Sequence, residues 1–214
     1  MERVLRRMVL VTVVVTVVAV VVAYVRIVQP WFRRWGATDE ELGQRWPADD
    51  LLAPGTRSHT RAITIDAPPT AVWAWLNQIG QDRAGFYSYT VLENLVGARM
   101  RNADALRPEW AHRAAGETVW LADPSRWGER GRQRLALLEP EATFVMVSPP
   151  DYDRIQAGEQ ASGYWGFRLL ARPDGTTRLL TRASGGAVGT PVFDLIHFVM
   201  EQAMLRGIKA RAER

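Results

Sequence analysis

Three histidines, His59, His112 and His197, stand far apart in the chain, with no His-x-x-x-His or His-Glu pairing at metal-ligand spacing. No Gly-x-Ser-x-Gly elbow and no phosphate-binding loop occurs. The absence of cysteine removes disulfides, thiolate catalysis and thiolate-ligated metal. Gly185-Gly186-Ala187-Val188-Gly189 lacks the Lys-Ser/Thr ending of a phosphate cradle and reads as a flexible joint before the last helix. Asp151-Tyr152-Asp153 offers two carboxylates without the further ligands a calcium loop needs, and reads as a solvated loop. The sequence therefore predicts no catalytic constellation, no metal site and no cofactor.

What remains is a set of apolar and aromatic side chains suited to the wall of a cavity, which needs only a few polar groups to orient its ligand. By strand parity Trp165 and Phe167 share one face of a hairpin, and Phe144 and Met146 pair similarly on the preceding strand. Phe193, His197 and Met200 fall on one stripe of the last helix. Phe86, Tyr87 and Tyr89 come from an unusually aromatic stretch, Gly80–Trp110, that reads as a lid. His197 could donate to a ligand carbonyl or act in acid–base chemistry, or it could be a hydrogen-bonded core histidine. Arg182 and Arg99 could grip a carboxylate or phosphate, or lie on the surface. Glu93, Asn94, Asn102 and Asp104 are expected to cap and tie the lid. The same side chains could instead fill a core with no void.

Lys209 is the only lysine, and 27 basic residues face 23 acidic ones with no long basic run, which argues against nucleic-acid binding. Residues 1–7 are basic. Residues 8–28 are apolar enough for a transmembrane helix, with Tyr24, Trp31 and Trp35 as interfacial aromatics. Val21 and Ala23 also fit a cleaved leader, but the apolar run exceeds the usual length of about 7–15 residues. Arg3, Arg6 and Arg7 balance Arg26, Arg33 and Arg34, so charge leaves orientation open; a short basic terminus ahead of a long domain leans to N-inside, with the domain outside. Residues 29–58 read as a juxtamembrane tether lying against the domain, with a short helix at Thr38–Leu42 begun by the Thr38/Glu41 capping box.

The domain, residues 59–214, opens with a strand at Arg61–Asp66 and a helix at Pro68–Ile79. Past the lid, strands are predicted at Glu117–Leu121, Arg132–Leu138 and Thr143–Ser148, then a polar loop at Pro149–Gln160. Gly163–Leu170 and Thr176–Ser184 form a hairpin across the turn residues Arg172-Pro173-Asp174-Gly175. A long amphipathic helix over Pro191–Lys209 follows. This order gives an α+β layer in which one helix covers one face of an antiparallel sheet.

The stretch TRAITIDAPPTAVWAWLNQIGQDRAGFYSY, followed by LENLVGARMRNADALRPEW, resembles the SRPBCC superfamily of START and Bet v 1-like proteins. Within it the chain is most similar to bacterial members labelled polyketide cyclase/dehydrase-like. The YWGFRLL…GTTRLLTR hairpin and the closing FVMEQAMLRGIKARAE helix are similar too. The resemblance implies a helix-grip fold: a curved antiparallel sheet wrapped around a long C-terminal helix, with an apolar cavity between them. It implies no particular reaction, because carriers, receptors and cyclases share the fold. The expected function is a membrane-anchored binding protein for a lipid-, isoprenoid- or polyketide-like molecule. The rivals are a cyclase- or dehydratase-like enzyme using the same cavity, and an interaction module with a filled core.

Overall fold

A computed structural model describes residues 2–214. The valine-rich segment forms helix α1 (Glu2–Ala23), whose apolar stretch has a mean hydropathy of 2.9 and no buried share. At 1.5 Å per residue it is about 33 Å long. Thr12 donates its hydroxyl to the Met8 carbonyl one turn back. One π-helical turn, Tyr24–Val28, leads without a break into α2 (Gln29–Arg33).

Helix α3 (Asp39–Gly43) starts at the predicted capping box, with Thr38 and Glu41 each accepting from the other's backbone N–H. Strand β1 (Ser58–Ile65) and helix α4 (Pro69–Leu76) follow, Pro69 supplying the fixed φ of a first turn. The lid contains only α5 (Thr90–Leu95) and a 3₁₀ turn at Pro108–Trp110. Then come β2 (Thr118–Trp120), α6 (Pro124–Trp127), β3 (Arg132–Glu139) and β4 (Thr143–Val147). Helix α7 (Pro149–Gln156) replaces the predicted polar loop. Ser148 caps it, Pro149 and Pro150 open it, and the Asp151 carboxylate accepts from Ser148 and Ser162. The carboxylate is thus committed to a helix cap. Strands β5 (Gly163–Ala171) and β6 (Thr177–Gly185) form the predicted hairpin, and α8 (Pro191–Ala212) closes the chain.

All six strands lie in one antiparallel sheet ordered β1-β6-β5-β4-β3-β2, so the first strand pairs with the last. A register shift between Leu135 and Leu137 marks a bulge, which bends the sheet. Pairing Arg61 with Thr181, Thr181 with Phe167, and Phe167 with Phe144 sets one inner face. Against it pack α4, the lid and α8 around Phe144, Met146, Phe167, Leu179, Met204 and Ile208. This is the helix-grip architecture.

The outer face is covered as well. Trp46 packs on Ala62 and Leu180, while Ala48 and Leu52 pack on Val145 and Val147. Two arginines at outward parity on β6 fasten this strap. Arg178 donates to Glu41 at 2.7 and 2.8 Å, and Arg182 donates to Asp49 at 2.8 Å while lying over the Trp46 ring. The segment after the apolar helix is therefore an outer layer of the fold, with Trp46 and Ala48 each 1% exposed.

Helix α2 runs beside α8 in the same direction. Tyr24 donates to the Pro191 carbonyl at 2.8 Å, and Asp194 accepts from Gln29 at 2.7 Å and from Arg33 at 2.6 Å. Phe32 stacks on Phe198 with ring centres 4.3 Å apart. The apolar helix is locked to the start of α8 by these contacts.

Candidate functional site

Inward parity on β5 and the 193–197–200–204 stripe of α8 place Trp165, His197, Met200 and Met204 around a hollow of about 210 Å³. Phe86 from the lid stacks on Trp165 at 5.8 Å, and Glu93 of α5 completes the wall. A second hollow of about 400 Å³ shares Leu121, Trp165 and His197 with the first and extends to Phe193. Phe193 stacks on His197 at 5.1 Å. Phe86, Trp165, Phe193, His197 and Met200, all predicted cavity residues, therefore meet in one place.

The others stand elsewhere. Phe144, Met146 and Phe167 are fully buried in the packed middle of the core and border neither hollow. Tyr87 is buried with its hydroxyl donating to the Trp75 carbonyl, and Tyr89 is half exposed just before α5. Arg182 points to the outer face, where Asp49 holds it, and Arg99 pairs with Asp123 at the surface. The open space thus occupies one end of the grip, near the start of α8, and the middle is filled.

The lid is held by its asparagines, as expected. Asn102 accepts from the Tyr87 N–H and donates to the Ser88 carbonyl; Asn94 does the same for both backbone groups of Met100. Tyr87 adopts φ 56°, and helix α8 comes so close that a Cβ on Gly207 would lie 2.2 Å from the Tyr87 oxygen. Glu93 behaves differently from the expected tie. Ser88 donates to one of its oxygens at 2.5 Å, while the other is buried without a partner. Burial pushes its pKa up, the Ser88 hydrogen bond opposing.

Beneath the hollow lies a charged network that sequence reasoning did not anticipate. Arg61, at inward parity on β1, donates from Nη1 to Glu201 at 2.5 Å and stands 2.9 Å from His197 Nδ1. Its Nε donates to the Phe32 carbonyl at 2.6 Å, reaching α2. Trp165 Nε1 and the Thr181 hydroxyl donate to the other oxygen of Glu201 at 2.7 and 2.8 Å. Burial pushes the Glu201 pKa up, but the adjacent Arg61 guanidinium, by its charge and its hydrogen bond, outweighs it and holds the carboxyl below its usual range. Burial lowers the pKa of His197 and keeps that ring neutral. Because arginine can only donate, His197 Nδ1 accepts and the ring proton sits on Nε2. Among the described residues that N–H has no protein acceptor, and the ring stands on the wall of both hollows.

Contrary to the sequence expectation, His197 and Glu201, four residues apart on α8, do make a His–Glu pairing, and with His59 they bring donor atoms within 4.8 Å of one another, a spacing that could hold a metal ion. The residues present do not fit one. The Arg61 guanidinium already lies against both Glu201 and His197, and a dication there would face a fixed buried positive charge. Both nitrogens of His59 are buried without partners, and burial with the Arg61 charge takes its pKa down to about 3. A further hollow of about 590 Å³ is a polar groove beside the strap, where Arg45 pairs with Asp50 and Arg182 with Asp49.

No family model and no curated protein matches the chain. Solved structures similar to it include the Polyketide_cyc-like protein Cgl2372 from Corynebacterium glutamicum, 15% identical, covering 73% of this chain and 91% of that one at a TM-score of 0.36. Aha1 from Colwellia psychrerythraea is 15% identical, covering 73% and 96%, at 0.44. Protein MLL2253 from Mesorhizobium loti is 17% identical, covering 74% and 98%, at 0.40. At these values the likeness transfers no ligand, reaction or residue role to this chain.

Proposed function

We propose that the protein is anchored in a membrane by α1 and binds a hydrophobic small molecule in the hollow between Trp165, Phe86 and the Met200/Met204 side of α8. The observation that carries this reading is the composition of that wall. Two aromatic rings and two adaptable thioethers enclose the space, and the polar groups offered to it are few. His197 offers an N–H, and Glu93 offers a buried carboxyl oxygen with no other partner. A ligand with an apolar body and one hydroxyl or carbonyl at its end suits that pair, its affinity coming mainly from apolar burial at about 25 cal/mol per Å². The unbroken helix from α1 into α2, tied to α8 through Tyr24, Gln29 and Arg33, supports an anchor that stays attached.

One observation favours a catalytic variant of the reading. Glu93, with its raised pKa, and the Nε2–H of His197 border the same hollow, so a proton could be given to or taken from a bound chain there. Turnover lost with ligand binding retained in a Glu93→Gln variant would favour the enzyme over the carrier.

The test is native mass spectrometry of the full chain purified in mild detergent, followed by organic extraction. A reproducible added mass that extracts as one lipid class is expected, and Met200→Trp, which fills the hollow, removes it without changing the far-ultraviolet circular dichroism. A bare mass for both forms, with no tryptophan fluorescence response to lipids or isoprenoids, overturns the reading.

A further inference from the structure

Besides the apolar side chains exposed along α1 and the turns that follow it, two groups of large apolar side chains on the domain stand in the open. On and beside α5, Val91, Leu95 and Val96 are 73, 77 and 53% exposed, with Leu92 at 46%. On the first two turns of α8, Val192 and Ile196 are 70 and 59% exposed. An exposed leucine alone means little, but contiguous apolar surface of this kind marks a contact face.

The two groups flank one opening. Glu93 of α5 and Met200 of α8 border the same hollow. Leu92 adjoins Glu93 in sequence, and Ile196 stands one turn before Met200 on α8. The exposed side chains therefore stand beside residues that border the hollow.

Their depth follows from the docking of the apolar helix. Tyr24 bonds the Pro191 carbonyl, so α8 begins level with the last turns of the hydrophobic run. Gln29 and Arg33 meet Asp194, and Phe32 meets Phe198, so α8 leaves that level side by side with α2. A bilayer's polar layer extends roughly 5–8 Å beyond each side of its hydrocarbon. At 1.5 Å per residue, the start of α8 from Pro191 to Ile196 spans about 7.5 Å and falls within it. Arg26, on the π-helical turn, can hold its guanidinium among the headgroups from the same level.

We propose that the exposed faces of α5 and of the first two turns of α8 are seated in the headgroup layer of the membrane that α1 crosses, so that the hollow opens onto lipid rather than water. The proposal rests on the anchor reading above, and commits to the bilayer as the occupant of this face. A second copy of the chain would need a matching partner surface, whereas the lipid is brought to this face by the chain's own helix. A ligand then passes between the acyl region and the Trp165 wall without crossing water, and α5 is the element that moves aside.

The natural chain has no cysteine, so single-cysteine variants report one position each. Full-length protein in phosphatidylcholine/phosphatidylglycerol vesicles would carry an environment-sensitive fluorophore at Val14→Cys, Leu95→Cys, Val192→Cys or Asp174→Cys. Asp174 lies in the exposed β5–β6 turn. Expected is several-fold protection from an aqueous quencher at Leu95 and Val192 relative to Asp174, together with quenching by spin-labelled lipid. Leu95 and Val192 probes as open to water as Asp174, with Val14 still quenched by lipid, overturn the docking face and leave the anchor standing. A Val14 probe open to water overturns the anchor and the docking face with it. Protection at Leu95 and Val192 that disappears on dilution of the protein in the vesicles, with no quenching by labelled lipid, assigns the face to a second copy and also overturns the proposal.

Discussion

Replacing Arg61 by methionine removes the one cation among Glu201, His197 and His59 while keeping a side chain of similar length. Arg61 and Glu201 have side-chain exposures of 0 and 1%, so nothing from solvent replaces the lost charge. Trp165 and Thr181 still serve one carboxylate oxygen, but the other loses its only donor, as do the Phe32 carbonyl and His197 Nδ1. Stranding one member of a buried pair costs about 3–5 kcal/mol, which for a chain of this size lowers the thermal midpoint by on the order of 10 °C. The loss depends on pH in a defined direction. In the natural protein Glu201 is held below its unfolded pKa, so its stabilisation is complete above that value and is lost only as pH falls through the lower folded value. Without Arg61, burial dominates and the folded pKa moves above the unfolded one. The destabilisation is then greatest at neutral pH and shrinks as acid protonates the carboxyl or lets His197 charge in the guanidinium's place. Urea unfolding of the full chain in micelles, followed by tryptophan fluorescence at pH 7.5 and pH 5, measures both effects. The double variant Arg61→Met/Glu201→Gln should recover part of the loss. A single variant as stable as the natural protein at pH 7.5, or a loss that does not shrink at pH 5, refutes the reasoning.

Two further outcomes come from the same geometry. Gly207→Ala drives a methyl into the Tyr87 backbone, and should destabilise the protein by about 1–3 kcal/mol and speed amide exchange across Gly85–Asn102 while the sheet stays protected. His59, with a folded pKa of about 3, resists the proton that the unfolded chain accepts near 6.5. Each pH unit below that value therefore removes about 1.4 kcal/mol of stability. His59→Phe should flatten the decline of stability between pH 6.5 and 4.5, leaving the part due to His197; an unchanged slope in urea titrations contradicts the assignment.

The strands were legible where alternation and turn chemistry agreed. The β5–β6 hairpin falls within a residue of its predicted bounds because Pro173-Asp174-Gly175 leaves the chain little choice. Helix α7 was missed for want of an apolar stripe, although Ser148, Pro149, Pro150 and Asp151 together spell a helix start. Which face of the sheet the segment after the apolar helix covers was illegible for another reason. Trp46, Leu51 and Leu52 are sparse, and the side chains that hold their segment, Arg178 and Arg182, lie more than a hundred residues away. Parity and helical spacing could say which residues face inward, but not where α8 crosses the sheet. That crossing decides that Trp165 borders open space while Phe167, two residues on, is packed solid. Arg61 was the one available hint of the buried network, an arginine at the same parity as Ile63 and Ile65.

The strap and the pairing of β1 with β6 also bear on how the chain is made. Helix α2, the strap and β1 leave the ribosome well before β6 and α8, and each of them completes its contacts with one of those two later elements. Trp46 and the inner face of β1 therefore wait, uncovered, while more than a hundred further residues are made. Such long-range closure is slow and leaves sticky surface open to wrong partners. On the anchor reading proposed above, holding the waiting segments at a lipid surface, one molecule apart from the next, would shield that interval, and the anchoring helix would double as a folding platform.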